Sequence, residues 1–380
     1  MEKIYIDHAA TSPLHPSVIR VVTEAMQTTF GNPSSIHSFG RESRHLLDES
    51  RQTMASSIGA KPDEIIFTSG GTEADNLAII GTALHNKDKG MHIITTEIEH
   101  HAVLHACEYL EKQGFRVTYL PVDNKGRVSI EDIKAALTDE TILVSIMMGN
   151  NEVGTMEPIE AIGALLKNHQ AFFHTDAVQA YGVVPFRVDE LGVDLLSVSS
   201  HKINGPKGLG FLYVRNSVSF TPLLYGGEQE RKRRAGTENV PSIVGFAEAV
   251  KIAMDTLESR TEQYNEWKRL FIDTLVKEEV QFEVNGNPQF SLPHILNVSF
   301  EGVNIESLLV NLDLAGISAS SGSACTAGSI EPSHVLVSLF GKGSERVTSS
   351  VRFSFGLGNT TEQIARAACE TAAIVKRLKI

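Results

Sequence analysis

Three cysteines in 380 residues, Cys107, Cys325 and Cys369, are too few and too irregularly spaced for a disulfide framework or a structural zinc site. Any thiol chemistry therefore rests on single cysteines. No apolar run is long enough to span a bilayer, and the amino terminus, Met1-Glu2-Lys3-Ile4-Tyr5-Ile6-Asp7, lacks the apolar centre of a secretion signal. A cytoplasmic protein without membrane contact is expected. Positive charge is scarce too: 34 Lys and Arg against 46 Asp and Glu leave a net charge of −12, which disfavours direct nucleic-acid binding. The one basic run, Arg231-Lys232-Arg233-Arg234, reads either as a local patch or as a solvated loop. Repeats and low-complexity tracts are absent, which excludes solenoids.

What is present is a chain with 42% hydrophobic residues, enough to fill real cores. Short β-branched apolar runs at 64–68, 92–95, 116–120, 142–147, 171–175, 194–198 and 209–214 alternate with amphipathic segments. That is the α/β pattern, with helices covering a mainly parallel seven-stranded sheet. Leu77, Ile80 and Leu84 share a helical face, and Ser129, three residues before Asp132, resembles a capping box for 130–137. After residue 240 come long helical stretches, then a strand at 295–300, a helix from 305 and a last helix from 361. This predicts a large domain over 14–258 and a smaller α+β domain made of 1–13 and 259–380.

Five segments could carry chemistry. Ser69-Gly70-Gly71-Thr72-Glu73 joins a predicted strand to a predicted helix, a corner whose backbone amides suit a phosphate but which also serves as a plain turn. His174-Thr175-Asp176-Ala177-Val178-Gln179 puts an acid at the carboxyl end of an apolar strand, where it holds a protonated ring nitrogen or caps a helix. In Ser197-Val198-Ser199-Ser200-His201-Lys202, a lysine follows a buried strand. It reads as a Schiff-base amine with Ser199 and His201 near a phosphate, or as a surface lysine in a turn. His101 and His105, four apart on a predicted helix, could ligate zinc in a hydrolase, while His100 before them could stack on a ring and move protons. Finally, Cys325 sits among small residues in Ser320-Ser321-Gly322-Ser323-Ala324-Cys325-Thr326, a loop composition that exposes a thiol, whereas Cys107 and Cys369 sit among helical apolar residues and are expected to pack.

Taken with Tyr5-Ile6-Asp7-His8-Ala9-Ala10-Thr11, Gly149-Asn150-Asn151-Glu152-Val153-Gly154, Arg234-Ala235-Gly236-Thr237 and Arg352-Phe353-Ser354-Phe355-Gly356, these segments resemble the cysteine desulfurases of the NifS/IscS type. The resemblance covers nearly the whole chain. It implies a fold-type I transferase that uses pyridoxal 5′-phosphate (PLP), with Lys202 linked to the cofactor, Asp176 at the pyridine nitrogen, Gln179 at the ring hydroxyl and His100 on the ring. The phosphate would lie among Gly71, Thr72, Ser199 and His201, with Thr237 reaching the neighbouring subunit's phosphate in a homodimer. Asn151 and Arg352 would hold the carboxylate of L-cysteine, and Cys325 would take its sulfur as a persulfide for an acceptor in tRNA thiolation or iron–sulfur cluster assembly. Selenocysteine lyase is the alternative within the fold. Ser200 stands where many relatives have glycine, and Met148-Gly149 where many have His-Val.

Overall fold

The computed structural model describes residues 2–321 and 332–379; Cys325 lies outside them. The chain opens with β1 (Ile4–Tyr5), followed by the helices α1 (Pro16–Thr28) and α2 (Ser38–Ile58). Seven strands then follow: β2 (Ile65–Thr68), β3 (His92–Thr96), β4 (Arg116–Leu120), β5 (Thr141–Ser145), β6 (Phe172–Asp176), β7 (Leu195–Ser199) and β8 (Gly210–Val214). They form one sheet in the order β2-β8-β7-β6-β5-β3-β4. All pairs are parallel except those made by β8, which runs against both β2 and β7. The central parallel strands β3, β5, β6 and β7 are buried almost throughout, hence their near-continuous apolar runs, whereas the edge strand β4 is only partly buried.

Between β2 and β3 the chain forms α3 (Gly71–Asn76), a π-helical stretch (Leu77–Gly81) and α4 (Thr82–Asn86). Leu77 and Ile80 are buried there beside Ile93, Leu143, Leu195 and Leu212, the apolar face of the sheet that α5 (His101–Lys112) also covers. On the opposite face, Val18, Leu47 and Phe246 pack with Ile94, Val144 and Phe173. Ser129 caps the helix Ile130–Ala136 by accepting from Asp132 N at 3.3 Å, the contact its spacing implied.

The later chain adds β9 (Glu283–Asn285), β10 (Ile295–Ser299), β11 (Ile317–Ser318) and β12 (Ser350–Ser354). β10 pairs antiparallel with β9 and β12, and β1 lies parallel to β11, which ties the amino terminus to residues more than 300 positions away. Trp267, Phe271, Phe353 and Phe355 form an aromatic centre there with Ile4 and Ile6. Cys107 is buried as expected, but Cys369 is exposed, which corrects the packing expectation. The buried stripe of helix Thr361–Leu378 runs through Ile364, Ala367, Ala368, Thr371 and Ala372, and Cys369 falls off that stripe.

Candidate active site

The carboxyl ends of β6 and β7 bring the predicted residues together. Asp176 is the last residue of β6, and Lys202 closes a single helical turn directly after β7. Lys202 Nζ donates to Ala9 O at 2.5 Å and Ala10 O at 2.8 Å. Gln179 Nε2 donates to the same Ala9 oxygen at 3.0 Å. Asp176 caps no helix; its Oδ1 accepts from Val178 N at 2.8 Å in a local turn. Burial raises its pKa to about 6 against the pull of that N–H and of Lys202.

The Gly-Gly corner meets this edge. Gly70 has φ +151°, and a Cβ on Gly71 would stand 2.8 Å from Val178 Cγ2, so only glycine lets α3 start this close to the β6 turn. Ser199 is buried beside it, its Cβ 3.6 Å from the same position. Thr72 is exposed. His201 Nδ1 lies 3.1 Å from Thr11 Oγ1, and burial holds its ring near pKa 4. Ser200 fits because Gly205 leaves it room: a Cβ there would stand 2.1 Å from Ser200 Oγ.

His100 caps α5, accepting from Ala102 N at 3.1 Å through Nδ1, so the neutral ring carries its proton on Nε2. Burial, with Lys202 second, lowers its pKa to about 4. His101 stacks on His105 with centroids 5.1 Å apart and lies 4.7 Å from the ring of His334. Among the described residues, no group of three or more His, Cys, Asp or Glu could hold a metal ion.

Arg352, on β12, is 2% exposed. Its Nη1 donates to Asn151 O and its Nη2 to Asp7 Oδ1 and Ser320 Oγ, each at 2.8 Å, while Nε has no partner. One N–H of the buried guanidinium is thus left unsatisfied. Thr237 stands apart: it is exposed, and among the described residues no hydrogen bond joins it to the others. Its segment is held nearby through Arg234, whose Nε donates to Glu73 Oε1 of α3 at 2.7 Å. The basic run is tied down locally: Lys232 pairs with Glu228 at 2.9 Å and Arg231 stands 3.8 Å from Asp63, while Arg233 donates to the Asp63 backbone carbonyl at 2.8 Å.

Sequence reasoning missed a polar layer on the same face of the sheet. His174 lies between Ser145 Oγ (2.8 Å) and Ser197 Oγ (3.0 Å), and Asp75 Oδ1 stands 3.6 Å from its Nε2. Burial keeps His174 neutral, near pKa 3, and with the Asp176 charge pushes Asp75 well above the carboxylate range. Asp75, pushed up the further of the two by burial and by the Asp176 charge, is the acid that holds its proton. Alternating polar residues on strands that otherwise look apolar were the available signal.

A buried carboxylate at the end of β6 and a lysine bonded to the Ala9 and Ala10 carbonyls just after β7, beside a glycine corner with hydroxyls, suit a phosphate ester of a pyridine aldehyde. Residues 4–367 match the family described as aminotransferase class-V. The IscS 1 protein of Bacillus subtilis is 62% identical over 378 residues, covering 100% of both chains. The cysteine desulfurase IscS of Dictyoglomus turgidum is 48% identical over 99% of this chain and 95% of its own. The chain belongs to the cysteine desulfurases of the class-V aminotransferase family. That family is PLP-dependent, and the likeness extends to tertiary structure. A solved NifS-like protein superposes with a TM-score of 0.92 at 34% identity, covering 99% of this chain and 100% of that one. A solved SspA in complex with cysteine gives 0.82 at 35%, covering 93% and 98%. With the family shown, the zinc-hydrolase reading of His101 and His105 falls away.

Proposed function

We propose that this desulfurase takes sulfur from L-cysteine at PLP held by Lys202, leaves L-alanine, and carries the sulfur on Cys325 as a persulfide. The observation that carries the site assignment is the convergence of Lys202 and Gln179 on Ala9 O, two residues after the Asp7 that holds Arg352. Cysteine as substrate is supported by the cysteine-bound SspA neighbour. Cys325 lies outside the described residues, but Ser320 before it bonds Arg352, and His334 after it lies 2.9 Å from Glu99 O at the foot of His100.

When bound, PLP supplies an electron-withdrawing ring that stabilises negative charge on the substrate α-carbon. Asp176 would hold the ring nitrogen, Gln179 the ring hydroxyl and His100 the ring face, with Gly71, Thr72, Ser199 and His201 at the phosphate. Asn151 and Arg352 orient the substrate by its carboxylate. Lys202, as the amine, takes the α-proton. The Cys325 thiolate attacks the substrate sulfur: the S–S bond forms, the C–S bond breaks, and the electron pair stays on carbon. A proton taken up from solvent, for which His100 would be the carrier, then completes the methyl group of alanine.

The working form would be a homodimer in which Thr237 reaches the second copy's phosphate site. Ile36 (92% exposed), Tyr225 (81%) and Phe30 (75%) support this, since large apolar side chains this open mark association surfaces. Ser34 and Gln229 line one cleft, so the two segments that bear them are neighbours. A division into 14–258 and 1–13 with 259–380 is supported by the packing of Ile4 and Ile6 against Trp267 and Phe271. The persulfide would pass, in the cytoplasm, to an acceptor protein, a tRNA-thiolating enzyme or an iron–sulfur scaffold. No helix among the described residues is long and apolar enough to cross a membrane.

Mass spectrometry after adding L-cysteine without reductant tests the reading. One extra sulfur atom on the Cys325 peptide, together with free alanine, is expected. Alanine without that adduct would mean direct release of sulfur, as a lyase does.

A further inference from the structure

Against Lys202 lies a cavity of about 20 Å³, lined among others by His8, Gln179, Asn204, Arg260 and His294. An outer cleft of about 380 Å³ shares Asn204, Arg260, Tyr264 and Gly356 with it, and is open to solvent at the exposed Ser259 and Gln263. His8 and His294 are 5% and 7% exposed; neither ring nitrogen of His8 nor Nδ1 of His294 makes a hydrogen bond of good geometry, the Tyr5 backbone giving His8 a weaker one. His294 Nε2 stands 3.4 Å from Gln179 Oε1. Gly356 is glycine because a Cβ there would stand 2.2 Å from His8 Nδ1, so the His8 ring is pressed into place.

Burial keeps both rings neutral, with His8 near pKa 4 and His294 near pKa 3. Each neutral ring then has one donor and one acceptor nitrogen. A cavity of this size holds a single water molecule, and such a water is retained where several polar groups are otherwise unsatisfied. The two rings, Gln179 and the lysine provide that setting.

We propose that this cavity is a water site fed from the outer cleft, and that its water, held by His8 and His294, exchanges protons between Lys202 and solvent. The inference rests on the α-proton role of Lys202 given above. As the substrate Cα–H bond breaks, an N–H bond forms on Lys202. That N–H bond then breaks as an O–H bond forms on the water, which releases a proton towards the cleft. The reverse path returns a solvent proton, so the proton count is unchanged. His8 acts as a positioning residue, since it holds the water and touches no reacting atom.

Proton NMR of L-alanine incubated with the PLP-loaded protein in D₂O reads the exchange of the α-proton directly. The wild type should exchange it. His8→Leu, which removes both nitrogens, should slow exchange by about ten-fold, less than a direct acid–base group contributes, while keeping the bound-cofactor absorbance. His8→Gln should recover part of the rate. Equal exchange in wild type and His8→Leu overturns the relay alone, whereas a wild type that does not exchange overturns the α-proton role of Lys202 and the relay with it. A high-resolution crystal structure of the wild type gives a second reading, independent of turnover. Ordered water density within hydrogen-bond reach of His8 and His294 is expected, and a dry cavity refutes the proposal.

Discussion

Lys202 Nζ stands 2.5 Å from the carbonyl oxygen of Ala9, an acceptor 193 positions earlier in the chain. Ala9 O also receives Gln179, and Ala9 N donates to Ser354 Oγ at 2.9 Å, so one residue of the amino-terminal segment links the ends of β6, β7 and β12. The carbonyls of Ala9 and Ala10 both accept from the lysine, which holds the amine where the strand ends converge.

Replacing Lys202 by Ala removes the amine but leaves the Gln179 bond to Ala9, so the protein should fold and lose the visible absorbance of lysine-linked PLP. Absorbance after gel filtration in excess PLP checks this. A retained band would assign the linkage to another amine.

Arg352 is buried and already satisfies Asn151, Asp7 and Ser320, with Nε left open. Arg352→Ala should raise the KM for cysteine by an amount corresponding to about 1.5–3 kcal/mol, the worth of a charge-assisted hydrogen bond. Steady-state kinetics decide it, and an unchanged KM would move the carboxylate site elsewhere.

Glu99 is fully buried, and burial raises its pKa from 4.5 to about 8 although Met147 N and Thr96 Oγ favour its charge. The folded state thus binds this proton more tightly than the unfolded state. Its contribution to stability is complete below 4.5 and is lost as pH climbs to about 8. Glu99→Gln, which has no proton to lose, should gain stability relative to wild type across that window. Parallel melting curves for the two proteins would rule this out.

Ile36→Asp places a charge on one of the most exposed apolar side chains. Sedimentation should find a dimer for the wild type and a shift to monomer for the variant. A variant that stays dimeric puts the interface on another face.

The seven strands of the main sheet were legible because burial writes apolar runs, continuous in the central strands and weaker in the partly buried edge strand β4, and each lies within two residues of its expected span. Ser129 was legible as a cap because capping is local. Cys369 was misjudged because apolar neighbours in sequence do not say which helical face a residue occupies. The antiparallel run of β8 follows from a connection that doubles back over the sheet, which no composition records.

Taken alone, the sequence determined the α/β class and the segments bearing Gly71, Asp176, Ser199 and Lys202, since periodicity and strand-end motifs are properties of contiguous residues. Only the tertiary structure decided that Asp7 meets Arg352, that Ala9 serves both Lys202 and Gln179, and that His8 and His294 line one small cavity. Those pairs lie far apart in sequence, and parallel strands and the β1–β11 pairing bring them together only once the whole chain is packed.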